Sequence, residues 1–111
     1  VIYMVLEKLI ITRSINDIEM KYTYSLTKES LNNVQAYGIK VERVDIKDGA
    51  IINRVEDGVK YISTQRHKVK GLLNLLYKNE VSPIHLIDII GEYVDKWVGD
   101  FEESKKMVNK L

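Results

Sequence analysis

Residues 18–27, with the sequence IEMKYTYSLT, decide the fold. Apolar side chains occupy every second position from Ile18 to Leu26, and polar side chains occupy the positions between them. Successive side chains of a strand point to opposite faces, so this period of two indicates a β-strand with one buried face and one wet face. The same phase predicts that Tyr22 and Tyr24 point into the core.

The segments on either side of this strand predict a hairpin before it and a connection after it. Residues 2–13 are rich in Ile, Val, Leu and Tyr, and Asn16-Asp17 supplies turn residues between them and the strand. Residues 28–37 show no sustained period, which predicts a connection with a helical turn from Glu29.

Two Asp-Gly pairs predict further hairpins in the next segment. Apolar runs at residues 39–46, 50–55 and 59–62 follow Gly38 and are separated by Asp48-Gly49 and Asp57-Gly58. Tight hairpin turns need positive φ, which these residues tolerate, so the pairs favour turns. The apolar phase changes around Arg43, which predicts a bulge there. Residues 1–62 are therefore predicted to form an antiparallel meander of about five strands.

From Ser63 onward the apolar period is that of a helix. Residues 64–79 predict a first helix, with Ser63 or Thr64 as its N-cap and Asn79 at its end. Ser82-Pro83 then predicts the start of a second helix over residues 83–98, closely paired with the first. Its predicted buried stripe consists of Ile84, Ile87, Ile90, Val94 and Trp97.

The last segment predicts a short third helix. Gly99 interrupts the second helix, and Asp100 with Glu103 forms a capping pair. Phe101, Val108 and Leu111 would dock one face of the third helix. The sequence thus predicts a single α+β domain over residues 1–111, with an antiparallel sheet at 1–62 packed against two to three amphipathic helices at 63–111.

Composition limits the classes of function. Apolar residues make up 45% of the 111 and charged residues 30%, as in ordinary globular domains. The 17 basic and 16 acidic residues give a net charge of +1, so nucleic acid or anionic lipid would have to be met by a local patch. The absence of cysteine excludes disulfides and thiolate chemistry and fits a cytoplasmic location.

The N-terminal end predicts neither a membrane span nor a signal peptide. The apolar run at residues 1–6 is interrupted by Glu7 and Lys8, far short of a membrane span. The first residue is Val1, which points to a processed or truncated start, with Met4 as a second candidate initiator.

A basic cluster at the start of the first helix is the main candidate site. Arg66, His67, Lys68 and Lys70 lie where the helix dipole is already positive, and Lys78 extends the basic stripe. Positive charge beside unpaired backbone N–H groups can bind an anion or an acidic partner. The alternative is a solvated face neutralised by water or by Glu56 and Asp57, and this alternative is the more frequent case.

An acidic stripe on the second helix gives a weaker candidate. His85, Asp88 and Glu92 have the spacing of metal ligands, with Asp95 on the same stripe and His67 as a further ligand if the helices lie side by side. The more frequent explanation of such a stripe is the wet face of an amphipathic helix.

The pattern of charge argues against a DNA-reading helix-turn-helix, because Asp88, Glu92 and Asp95 would face the phosphates. Any nucleic-acid contact would have to use the basic stripe or the strand residues Lys21, Lys40 and Arg43. No nucleophile elbow, phosphate loop or dinucleotide fingerprint is present, so an enzyme is the least favoured class.

The segment Lys78 to Leu86, within residues 68–94, and the segment Tyr37-Gly38-Ile39 resemble a family of small uncharacterised proteins from clostridial Firmicutes, a domain of unknown function. The resemblance implies a cytosolic bacterial protein and brings no activity or site residue with it.

The sequence as a whole predicts a non-enzymatic interaction or regulatory module. We expect it to bind a protein partner or a second copy through the helical half, without a cofactor and without a membrane. Nucleic-acid or anion binding through the basic helix start is the alternative, and a metal-dependent enzyme at His85, Asp88 and Glu92 is the third.

Overall fold

Three two-residue turns fold the first part of the chain into an antiparallel sheet. The turns are Asn16-Asp17, Asn32-Asn33 and Asp48-Gly49, and all six residues have φ between +50° and +77°. Two successive residues with positive φ are the mark of turns whose twist matches that of the flanking strands. The structure, a computed structural model, describes residues 3–109, with side chains described for 3–104.

The fold is α+β, as predicted, with four strands and two helices. The sheet order is β1-β2-β3-β4, so each strand pairs with its neighbour in sequence. The elements are β1 (Met4–Ile15), β2 (Ile18–Leu31), β3 (Val34–Lys47), β4 (Ala50–Ser63), α1 (Arg66–Lys78), a 3-10 turn (Pro83–His85) and α2 (Leu86–Asn109).

The predicted connection at residues 28–37 is wrong. β2 continues to Leu31 and β3 begins at Val34, with Leu31 opposite Val34 across the turn. The Asn32-Asn33 pair carries the same turn chemistry as Asn16-Asp17, because asparagine tolerates positive φ. The Asn32-Asn33 pair was the sequence feature that indicated a turn. The weak periodicity around this pair hid the end of β2 and the start of β3.

The predicted fifth strand is also wrong, because the chain does not turn at Asp57-Gly58. β4 runs through both residues, and Gly58 lacks the positive φ of Gly49. Gly58 is required for a different reason: a Cβ at this position would lie 2.9 Å from the backbone oxygen of Ile39, too close for any side chain. A glycine required for close strand approach was thus mistaken for a turn glycine.

The predicted bulge at Arg43 does not occur there. Arg43 lies in regular register with Tyr22 on β2 and Val55 on β4. The register between β3 and β4 shifts instead between Asp45 and Ile46, and again between Tyr37 and Ile39. The extra residue of the first shift is Ile52 of β4, and β3 stays in regular register with β2. The change of apolar phase arises because Val44 is buried on the face opposite Val41.

Helix α1 ends at the predicted residue but starts with a different cap. Its N-cap is Gln65, without a side-chain cap bond, rather than Ser63 or Thr64. At the other end Asn79 is the C-cap and Glu80 adopts φ +51°. The N–H groups of Glu80 and Val81 donate to the carbonyls of Tyr77 and Leu76, which is the bonding of a Schellman motif.

Helix α2 is continuous through Gly99, so the predicted third helix is wrong. Ser82 and Pro83 start a 3-10 turn, and α2 follows from Leu86. A helix tolerates an internal glycine at a cost of about 1 kcal/mol when contacts on both sides hold it. Asp100, predicted as a cap, is instead a tertiary contact residue. The predicted docking residue Val108 lies where side chains are not described, and Leu111 lies outside the described residues.

Both helices pack against the sheet face that carries Tyr24 and Val41. The Tyr24 hydroxyl donates to the Val81 carbonyl at 2.9 Å, and burial, with the neighbouring Tyr22, raises the pKa of Tyr24 to about 12. The core prediction for this tyrosine is confirmed. The core cluster comprises Tyr24, Leu26, Ile39, Val41, Ile62, Val69, Leu72, Leu73, Leu76, Val81, Leu86 and Ile90. Within residues 3–109, neither helix is long and apolar enough to span a membrane.

Candidate interaction surface

The basic cluster at the start of α1 divides into two groups. Lys68 and Lys70 are partly buried and ion-paired, with Nζ of Lys70 3.0 Å from Oε2 of Glu7. Arg66 and His67 are exposed and make no ion pair with any side chain described. Two of the four positive side chains predicted to form one binding cluster are therefore already ion-paired within the protein.

Lys68 serves to anchor α2. Its Nζ lies 2.9 and 3.0 Å from the two carboxylate oxygens of Asp100, and 5.7 Å from the centre of the Trp97 ring. These contacts join the first turn of α1 to the second half of α2. The chain returns from the end of α1 through residues 79–85 to the start of α2, so the two helices run in roughly opposite directions over the sheet. The predicted close pairing of the helices is wrong, because each helix packs mainly on the strands.

Ser63 and Thr64 complete this junction. The Ser63 hydroxyl donates to Asp100 at 2.6 Å and accepts from the Gln65 N–H at 3.0 Å. Thr64 bonds to Ser104 at 3.2 Å. Burial opposes ionisation of Asp100, but the hydrogen bonds from Ser63 and Lys68 outweigh it and lower the pKa of this carboxyl. The residues predicted as helix caps therefore hold the two helices together.

The acidic residues proposed as neutralising partners of the basic cluster lie elsewhere. Oε2 of Glu56 is 3.3 Å from Nζ of Lys40, and Oδ1 of Asp57 accepts from the Gly58 N–H. Among the strand residues considered for nucleic-acid contact, Arg43 is paired with Asp45. Lys40 and Arg43 are thus ion-paired within the protein, whereas Lys21 makes no ion pair with a described side chain.

The weak metal candidates are not assembled in the described part of the chain. His85 lies in the 3-10 turn, whereas Asp88 and Glu92 lie on α2. Within residues 3–104, no three His, Asp or Glu side chains come close enough to hold one metal ion. The spacing of His85, Asp88 and Glu92 along the sequence was therefore not enough to predict that their side chains meet at one point.

An exposed apolar line on α2 contradicts the predicted buried stripe. Ile90 is fully buried and Val94 and Trp97 are partly buried, but Ile84 is 70% exposed and Ile87 is 48% exposed. The stripe that packs on the sheet contains Leu86 instead. The 3-10 turn rotates the start of the helix, so the predicted phase fails at its first two positions. Val98, at 57% exposure, continues the outward line.

Glycines interrupt the outward faces of both helices. A Cβ added at Gly71, Gly91 or Gly99 would meet no heavy atom within 4 Å, so the protomer's own packing does not require glycine there. Each glycine costs about 1 kcal/mol of helix stability relative to alanine. Glycine on an outward helix face does permit close approach by another backbone.

Together these residues form one surface, which we call the outer helix surface. On α1 its members recur at intervals of four, three and four residues, and on α2 at three, four and three, so each set lies on one helix face. The surface comprises His67, Gly71, Asn74 and Lys78 on α1, and Asp88, Gly91, Asp95 and Val98 on α2, with Ile87 beside them and Ile84 in the preceding 3-10 turn. Its α1 half is basic and its α2 half is acidic and apolar.

A family model described as Family of unknown function (DUF6514) matches residues 3–96. The match covers most of the chain, and the chain therefore belongs to this family. None of the curated proteins and none of the solved structures matches the chain.

Proposed function

We propose that this member of the DUF6514 family is a non-enzymatic interaction module that binds a second copy of itself through the outer helix surface. The observation that carries the proposal is the exposure of Ile84 and Ile87 at the start of α2, with Val98 about three turns further along the helix. Exposed apolar side chains that adjoin one another are typical of interaction sites, whereas single scattered ones are not.

Charge supports a second copy as the partner. The α1 half of the surface carries His67 and Lys78, and the α2 half carries Asp88 and Asp95. A two-fold axis parallel to the helices places α1 of one protomer over α2 of the other. The basic α1 half of each protomer then faces the acidic α2 half of the other protomer. The same contact therefore occurs twice, as the self-complementary patch of a symmetric dimer requires.

The glycines support close packing in such a dimer. Gly71 lies near the middle of the α1 half and Gly91 near the middle of the α2 half. With no side chains at these positions, the facing helices of the two protomers can approach closely. Close packing of the helices in the dimer then offsets the helix stability that glycine costs at these two positions.

The sharpest test compares two isoleucines by sedimentation velocity. Wild-type protein is expected to show twice the 12.9 kDa mass of one chain. Ile87→Glu places a charge in the interface and should give the monomer mass with an unchanged circular dichroism spectrum. Ile51→Glu, at an isoleucine 63% exposed near the β3–β4 turn, is the matched control and should remain dimeric.

A wild-type protein that stays monomeric at high micromolar concentration would exclude the second copy as partner. Should such a monomer retain a protein from lysate through Ile87, a separate protein partner would replace self-association. The cytoplasmic location and the clostridial origin implied by the resemblance remain proposals, as do the two alternative functions. Elemental analysis of untagged protein tests the metal alternative, and salt-sensitive nucleic-acid retention tests the other.

A further inference from the structure

The sheet face opposite Tyr24 and Val41 carries a cavity that the proposed function does not use. The cavity has a volume of about 370 Å³, within the range of pockets for small molecules. Its polar lining comes from β2, β3, β4 and the residue before β1, and comprises Tyr3, Thr27, Lys40, Glu56, Asp57 and Lys60.

The shape of this cavity follows from a bulge in β4. Tyr37 pairs with Ser63 and Ile39 pairs with Val59, so one residue of β3 lies opposite three residues of β4. The extra residues pass over Gly38, where a Cβ would lie 2.3 Å from the Val59 oxygen. The bulge therefore raises one wall of the cavity, and bulges of this kind often border functional sites.

The charged groups in the cavity are balanced. Nζ of Lys40 lies 3.3 Å from Oε2 of Glu56. Burial opposes the charged form of Lys40, but the hydrogen bond and charge of Glu56 outweigh it and raise the pKa, so the ammonium stays charged at neutral pH. Oδ1 of Asp57 accepts from the Gly58 N–H, and Lys60 makes no ion pair with a described side chain.

The cavity therefore contains both hydrogen-bond donors and hydrogen-bond acceptors that have no partner among the described side chains. Lys40 and Lys60 retain N–H donors, and Glu56 retains a carboxylate oxygen that makes no hydrogen bond with the described side chains. Asp57 lies opposite Val41 in the register, so its side chain points to the other face of the sheet. A buried carboxylate on the same sheet face, that of Glu29, also lacks a hydrogen-bond partner among the described residues. Glu29 lies two residues from Thr27, so the side of the cavity nearest β2 favours a donor.

We propose that this cavity binds a small zwitterion of the amino-acid class. Lys40 and Lys60 hold the carboxylate, and Glu56 accepts a hydrogen bond from the ammonium group. The apolar part of the ligand lies against the Tyr3 ring. A simple anion would satisfy the lysines but leave the Glu56 carboxylate facing it, and a simple amine would leave Lys60 unmatched.

Titration of ¹⁵N-labelled protein with the standard amino acids tests this site. At least one of them should shift the amide signals of Gly58 and Lys60 saturably. Its dissociation constant should lie about tenfold or more below those of acetate and methylammonium, since each half-ligand lacks one charged set of hydrogen bonds. Acetate binding as tightly as every amino acid, or no saturable shift with any amino acid, would overturn the proposal.

Three variants assign the roles of the charges. Lys60→Met should weaken amino-acid binding about tenfold, while the exposed Lys47→Met, at the other end of β3, should not. Glu56→Gln should weaken the amino acid but strengthen acetate, because it removes the carboxylate that competes for Lys40. Equal weakening of both ligands by Glu56→Gln would contradict the assigned roles. The dimer variant Ile87→Glu should bind the amino acid unchanged, which separates this site from the proposed function.

Discussion

Asp100 joins the start of α1 to the second half of α2. Its carboxylate accepts hydrogen bonds from Ser63 and Lys68, and its side chain is only 13% exposed. Lys68 would otherwise be a positive charge at the positive end of a helix dipole. The unfavourable charge placement seen in the sequence is thus relieved by a carboxylate more than thirty positions away.

This carboxylate predicts a specific dependence of stability on pH. The pKa of folded Asp100 lies below the ordinary value of 3.8, so its interactions stabilise the folded state above that value. The stabilisation disappears as the pH falls through the lowered pKa. Asp100→Asn should therefore lower the free energy of unfolding at about pH 7 by about 1–3 kcal/mol, and by less at about pH 3.

Urea unfolding of wild type and variant at the two pH values measures this effect. Glu102→Gln, at an exposed position on the same helix outside the outer helix surface, is the control and should change the free energy of unfolding little at either pH. If the difference between wild type and Asp100→Asn were the same at both pH values, ionisation of Asp100 would not contribute.

At the scale of elements, two glycines in the middle of secondary structure have opposite roles. Gly38 in β3 lies beneath the backbone of β4, and a Cβ there would be 2.5 Å from the Lys60 oxygen. Gly91 in α2 has open space around the position of a Cβ. The first glycine is required by strand packing, whereas the second lowers the stability of its own helix.

The same substitution at these two glycines should change stability in opposite directions. Gly38→Ala should lower the free energy of unfolding by about 1–3 kcal/mol or more, because backbone atoms must move. Gly91→Ala should raise the stability of the dilute monomer by up to about 1 kcal/mol. Denaturant unfolding at low micromolar concentration compares them. A loss of stability in both variants would mean that Gly91 is also required within the protomer.

Turn chemistry and element length explain which elements could be predicted. Asn16-Asp17 and Asp48-Gly49 were identified because each lies between strands with a clear pattern. Asn32-Asn33 was missed since β2 and β3 lose their alternation near it, where buried polar residues such as Thr27 and Glu29 replace apolar ones. The burial of these residues depends on neighbouring strands, which a local pattern does not contain.

At the scale of the whole molecule, the proposed dimer links stability to concentration and salt. Association of the folded state alone adds to its stability by mass action, so the melting temperature of wild type should rise with protein concentration. The opposed charges of the outer helix surface should make the dimer weaker as ionic strength increases. Differential scanning calorimetry over a concentration series, at low and high salt, measures both dependences.

Ile87→Glu provides the control for this experiment, and its melting temperature should not depend on concentration. A wild-type melting temperature that is equally independent would contradict self-association. A dimer that instead becomes tighter with salt would show that apolar contacts dominate and that charge complementarity contributes little.

The outer helix surface was only partly visible in the sequence. The basic residues of α1 and the acidic residues of α2 were identified as stripes from their spacing. The exposure of Ile84 and Ile87 was not predicted, because it depends on the 3-10 turn that sets the phase of α2. The cavity on the other sheet face could not be predicted either, since the β4 bulge brings together residues from four segments.

The sequence by itself determined the α+β order of the chain, the strand at residues 18–27, the hairpin turns at 16–17 and 48–49, and the end of α1 at Asn79. These features depend on backbone preferences and side-chain periodicity within a few residues. The tertiary structure alone decided that Asp57-Gly58 continues a strand, that Lys68 is paired with Asp100, and which isoleucines of α2 are exposed. Those outcomes depend on which distant backbone or charge comes within a few ångströms, a distance that no local pattern contains.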